Sequence, residues 1–196
     1  MRGGQSIFFL FCTISLIAQK PVPPIPFELF VGHDALFVQN VVKRSFTEES
    51  RFSLFNLATY NHRFQTNNEE NDMDVVSQFN YELFKGFGLM AGAEMNSAVG
   101  FSPIVGVEHS FASRKWLAVT IFSYFTNDKN DASLFGLYEF KPSLNNNVAL
   151  YSRAQFMLNR SLSTGAHNRS FIQIRLGLKQ KQLRYGLAAN LDRYGP

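Results

Sequence analysis

The stretch SFIQIRLGLKQKQLRYGLAANL, Ser170 to Leu191, alternates with a period of two on both sides of the polar turn Lys179 to Gln182. Ile172, Ile174, Leu176 and Leu178, then Leu183, Tyr185, Leu187, Ala189 and Leu191, fall on one side of the chain; Gln173, Arg175, Gly177 and Lys179, then Arg184, Gly186, Ala188 and Asn190, fall on the other. Successive strand residues point to opposite faces, so the pattern demands a sheet with one apolar face and one face carrying arginines. A soluble sandwich would turn the apolar face inward. A membrane barrel would turn it outward.

The pattern recurs along the chain. Ten strands are expected, at 35–46, 51–64, 74–84, 87–97, 101–112, 115–126, 132–141, 147–159, 169–179 and 182–193. Breakers such as TEES, KG, SAVG, NDKND and PSLNNN separate them. In 147–159, Leu150, Ala154, Phe156 and Leu158 oppose Tyr151, Arg153, Gln155 and Asn159; in 101–112, Phe101, Val105, Val107 and Phe111 oppose Ser102, Gly106, Glu108 and Ser110. Segments 51–64 and 115–126 are noisier, with apolar residues on both faces. No segment holds a helical period for three turns.

The second faces decide the orientation. They carry Gly, Ala, Ser, Asn, Gln and single charges of both signs, which suits a confined barrel lumen better than an open solvent surface. Strands of this length match tilted transmembrane strands. Trp116, Tyr124, Phe101, Phe111, Tyr185 and Tyr194 lie near strand ends, where interfacial girdles sit. Charged residues make up 17% of the chain, against roughly a quarter in a typical soluble domain. The fold class read from the sequence is therefore all-β, an antiparallel up-and-down transmembrane β-barrel of about ten strands. A secreted soluble β-barrel or sandwich that binds a ligand is the alternative.

The first residues point to export. Met1-Arg2 precedes SIFFLFCTISLIA, an apolar run too short for a membrane helix and of the right length for a signal peptide. The expected organisation is a signal peptide over 1–18, a Pro-rich segment over 19–34 with four prolines between Pro21 and Pro26, and a barrel domain over 35–196. The one cysteine, Cys12, lies inside the apolar run, so the mature chain can hold neither disulfides nor cysteine-ligated zinc.

The signal, the Pro-rich spacer, the aromatic hairpins and the ending NLDRYGP together resemble small outer-membrane β-barrel proteins of Gram-negative bacteria, in particular uncharacterised barrels of the Bacteroidota. The resemblance covers about residues 19–196. It implies an outer-membrane location with lipid as the partner, and it carries no catalytic residue onto this chain. One detail departs from the pattern: the longer links follow the second, fourth, sixth and eighth expected strands. FELFVGHD (27–34) forming an additional strand, the spacer threading the lumen, or a strand count off by one would each account for it.

Chemistry is sparse. His33, His62, His109 and His167 form no zinc motif, and no Gly-rich phosphate loop occurs, so no metal or cofactor is expected. His109 and Ser110 are adjacent on a strand and point to opposite faces, which separates a base from its nucleophile. Basic residues are scattered under a net charge of +4, which points away from nucleic acid. The charges on the polar faces remain. Glu94, Glu108, Glu139, Arg153, Arg175 and Arg184 are the candidate lumen network, with Glu139 the nearest partner in strand order for Arg153 and Arg175. The function expected is a non-enzymatic outer-membrane barrel with a structural or narrow-pore role. A small barrel enzyme acting on lipid or peptide is the alternative.

Overall fold

The structure is a computed structural model and describes residues 25–64, 71–127 and 130–195. The signal-peptide expectation over 1–18 and the run from Pro21 to Pro24 lie outside the described residues. Eleven strands form one antiparallel sheet in chain order: β1 (Phe27–Val31), β2 (Ala35–Ser45), β3 (Phe52–Arg63), β4 (Asp72–Phe84), β5 (Phe87–Asn96), β6 (Gly100–Ala112), β7 (Trp116–Phe125), β8 (Asp131–Phe140), β9 (Val148–Ser161), β10 (His167–Gln180) and β11 (Leu183–Tyr194). The sheet rolls into a nearly closed up-and-down barrel.

Two points differ from the sequence reading. FELFV joins the sheet as β1, so the barrel begins at Phe27 rather than Ala35. The link between β10 and β11 is two residues rather than four, because the ladder continues to Gln180↔Leu183 and Lys181 takes a left-handed backbone (φ 55). Glycine performs the same service in the β4–β5 hairpin. There Gly86 sits at φ 81, and a Cβ on it would lie 2.1 Å from the Ser110 carbonyl oxygen.

β1 covers only half of the β2 edge, Leu36 to Asn40. Among the described residues no backbone ladder joins β1 to β11, so the barrel has a seam there.

Burial follows the alternation. On β10, Phe171, Gln173 and Arg175 are buried while Ile172, Ile174 and Leu176 are exposed. The same holds on β9, where Arg153 and Gln155 are buried and Ala154 is exposed. Leu187 and Leu191 of β11 are 82% and 71% exposed. Several polar side chains on the outer face bond to the wall itself: Asn56 donates to Ser77 Oγ at 2.5 Å, Thr120 and Tyr138 share a hydrogen bond of 2.8 Å, and Ser152 donates to the Phe140 carbonyl at 3.1 Å. Aromatic pairs gather at the rim opposite the C-terminus, with Trp116 on Phe140 (4.3 Å between centroids) and Phe52 on Tyr81 (4.8 Å). Tyr194 is the exception to the expected girdle. It lies on the inner row of β11, where its hydroxyl donates to Asp72.

Inside, one half of the barrel is apolar. Phe55 and Leu57 of β3, Met90 of β5, Ile104 of β6, Val119, Ile121 and Phe125 of β7, Phe135 and Leu137 of β8, and Phe171 of β10 form a continuous core. Phe55 meets Phe135 edge-on at 5.9 Å from opposite walls. This explains why segments 51–64 and 115–126 read as noisy: β3 and β7 carry apolar side chains outward to the surface and inward to this core.

Candidate functional site

The other half of the interior is charged, and β1 is its centre. Glu28 points inward from β1, flanked by the outward Phe27 and Leu29. One carboxylate oxygen accepts from Arg175 Nε at 2.5 Å and the other from Arg153 Nη2. A single carboxylate from the N-terminal strand thus holds guanidiniums from β9 and β10. Arg153 also donates to Gln39 of β2 at 3.0 Å, and Gln39 donates to Gln155 of β9 at 3.0 Å. Arg175 bonds to Asn190 at 2.7 Å and to the Ala189 carbonyl, both on β11. Its guanidinium lies over the rings of Phe30 and Phe37 at 5.4 and 5.8 Å, a cation–π arrangement. These contacts cross the seam from inside where backbone pairing does not.

Two further ion groups lie toward the rim opposite the C-terminus. Glu139 stands directly opposite Arg153 in the β8–β9 ladder, yet its ion pairs go to Lys141 and, at 3.8 Å, to Arg184. Tyr151 donates to Glu139 at 3.4 Å, and the Arg184 guanidinium covers the Tyr151 ring at 4.7 Å. Glu108 of β6 pairs with Lys43 of β2 and accepts from Gln78 of β4.

Near the C-terminal rim, Arg169 holds Asp192 through two nitrogens (3.2 and 2.8 Å) and reaches Asp72 at 3.1 Å, with the Tyr194 ring 4.7 Å away. Beside it opens a cavity of ≈ 530 Å³ including its mouth. Asp74, Glu94, Phe55, Phe125 and Phe171 line it.

The candidate lumen residues therefore separate into several groups. Arg153 and Arg175 meet each other at Glu28. Glu139 and Arg184 form a second group, Glu108 a third, and Glu94 lies apart on the cavity wall. Glu139 is not the main counter-charge for Arg153 or Arg175; Glu28, a residue outside the expected network, is. The sequence signal that marks Glu28 is the short alternation FELFV, with the one acidic residue on its inner face.

The adjacent pair His109 and Ser110 stays apart. His109 packs on Phe87 on the outer row (4.3 Å between centroids), while Ser110 belongs to the inner row. Among the described residues no group of three or more metal-ligating side chains gathers. Among the described residues the interior pairs charges across strands. Comparison with known protein families, curated proteins and solved structures finds no match.

Proposed function

We propose that this chain is a lipid-embedded barrel of a Gram-negative outer membrane, with a filled lumen, a structural role and no chemistry in its interior. The observation that carries this reading is the outer face. It is apolar around the wall, and its mid-belt polar side chains bond to wall partners rather than facing outward unpaired. Hydrocarbon requires that closure and water does not. The belt also has a suitable height: Phe101 to Phe111 on β6 are ten residues apart, which at about 3.3 Å each and a tilt near 40° gives roughly 25 Å. A contiguous apolar surface of this size on a soluble monomer would drive aggregation.

The filled lumen supports a structural role over a pore. Phe55 with Phe135, Gln39 with Gln155, and Lys43 with Glu108 each bridge strands that are not neighbours, so side chains span the lumen in three places. The test is fractionation with heat-modifiable migration, followed by planar-bilayer recording. The protein should partition with outer membranes, and both the wild type and Arg175→Ala should be electrically silent. Recovery as a detergent-independent soluble protein defeats the membrane reading. Steady single-channel currents whose ion selectivity changes in Arg175→Ala defeat the filled-lumen reading.

A further inference from the structure

Residues three apart in a regular strand point to opposite faces. β10 departs from this at its start. Pairing with β9 sets His167 opposite Arg160 and then Arg169 opposite Asn159, so Asn168 is an inserted residue in a β-bulge. Arg160 belongs to the outer row of β9 and Asn159 to the inner. The bulge therefore brings His167 onto the outer face with Ser170, while Asn168 turns inward to Asp131 and Asn159 at 2.9 and 2.7 Å. Re-aiming one side chain in this way is a known use of a bulge.

Both imidazole nitrogens are engaged. Nδ1 meets the carbonyl oxygen of Gly195, and Nε2 lies 3.1 Å from Ser170 Oγ. A carbonyl only accepts, so Nδ1 carries the ring proton. Nε2 of the neutral ring then presents its lone pair, and the Ser170 hydroxyl donates to it. The chain end is shaped for this contact. Gly195 takes φ 68, and its own N–H bonds to the Asn168 carbonyl of the bulge at 3.0 Å. A hydroxyl, a base within reach and a group that orients the base are the parts of an activated nucleophile.

The surroundings indicate the substrate. In the ladder Ser170 stands opposite Arg193 of β11, and His167 opposite Arg160. Leu158, Ile172 and Leu191 are exposed just beneath, at the edge of the apolar belt. Arginines suit a phosphate-bearing headgroup, and the leucine and isoleucine surface suits acyl chains. We propose that His167 and Ser170 cleave acyl esters of anionic phospholipids at the outer rim of the barrel. Ser170 Oγ attacks the ester carbonyl carbon and its proton passes to His167 Nε2. The bond to the glycerol oxygen breaks, and that oxygen leaves with the proton from Nε2. Water, deprotonated by the same nitrogen, then attacks the acyl-serine carbonyl; the bond to Ser170 Oγ breaks, Oγ takes back the proton from Nε2, and the fatty acid leaves. Arg193 is the cation placed to meet the headgroup phosphate.

The lipid assignment rests on the membrane reading above, whereas reactivity of the hydroxyl can be read in detergent alone. The full chain, purified in detergent, is treated with a fluorophosphonate probe, and the adduct is located by peptide mass mapping. Fatty-acid release from phosphatidylglycerol mixed micelles is measured in parallel. The expected result is one adduct at Ser170, absent in Ser170→Ala and formed at least about 100-fold more slowly in His167→Ala. Both variants should keep heat-modifiable migration. Arg193→Ala should raise KM for phosphatidylglycerol while leaving probe labelling unchanged. No adduct on a chain that migrates as folded, an adduct at another serine, or labelling indifferent to His167→Ala overturns the nucleophile. Labelling at Ser170 without fatty-acid release overturns the substrate class. Failure to fractionate with membranes would refute the location and leave the labelling result standing.

Discussion

Glu28→Gln tests the seam directly. The substitution keeps the shape of the side chain and one acceptor oxygen, and it removes the charge shared by Arg153 and Arg175. The two guanidiniums are 6% and 5% exposed and Glu28 is 21% exposed. Among the described residues Arg153 Nε and Arg175 Nη2 have no hydrogen-bond partner, so Glu28 is the counter-charge that matters. Losing two charge-assisted hydrogen bonds, each worth about 1.5–3 kcal/mol, sets an upper range of about 3–6 kcal/mol. The retained amide oxygen and the partial exposure of Glu28 bring the expected loss to about 3 kcal/mol, at the low end of what stranding buried charges costs. Urea unfolding in lipid vesicles, followed by heat-modifiable migration and by the fluorescence of Trp116, measures it. Glu49→Gln, in an exposed turn, is the control and should shift stability by no more than about 0.5 kcal/mol. The triple variant Glu28→Met, Arg153→Met and Arg175→Met should be more stable than Glu28→Gln, because a buried charge set replaced whole by apolar residues is often neutral. A Glu28→Gln protein as stable as the control refutes the claim that this carboxylate holds the seam.

Ile174→Arg places a charge at mid-belt on the outer face and should cost about 2–4 kcal/mol in vesicle unfolding; a position 174 that reacts with water-soluble probes would mean the faces are reversed. Phe55→Ala removes a ring that is 2% exposed and faces Phe135, so a loss of about 3–5 kcal/mol is expected in the same unfolding assay. Gly86→Ala combines a left-handed backbone with a Cβ 2.1 Å from the Ser110 carbonyl, and it should cost about 2 kcal/mol or more; an unchanged urea midpoint would contradict the hairpin geometry.

Much of the wall was legible because a period of two is hard to misread over ten or more residues. β9 and β10 show it: Arg153 and Gln155 turn inward around the outward Ala154, and Gln173 and Arg175 turn inward between the exposed Ile172, Ile174 and Leu176. The noise in β3 and β7 had a physical cause that no single strand reveals. Val119 and Ile121 are apolar because they share a core with Phe55 and Leu57 of β3 across the lumen and with Phe135 of the neighbouring β8. The candidate site was less legible for the same reason. Glu139 is the nearest acid to Arg153 in strand order, but a barrel brings the first strand back beside the last. Glu28 is 125 residues from Arg153 and 147 from Arg175. No local pattern encodes a contact at that separation, and five residues beside a proline run are a weak strand signal. His167 and Ser170 were hidden by the bulge, since strict alternation assigns them to opposite faces.

The seam also bears on how the barrel assembles. Ten of the strand contacts join chain neighbours, so the wall can zip up one hairpin at a time at little entropic cost. Only the last step must bring distant parts of the chain together. A loop of 147 residues costs about 4 kcal/mol to close, and that cost falls on the contacts of Glu28. Closure should then be the final event of folding and reopening the first event of unfolding. In a kinetic experiment Glu28→Gln would speed the unfolding limb and leave the early hairpin phase untouched.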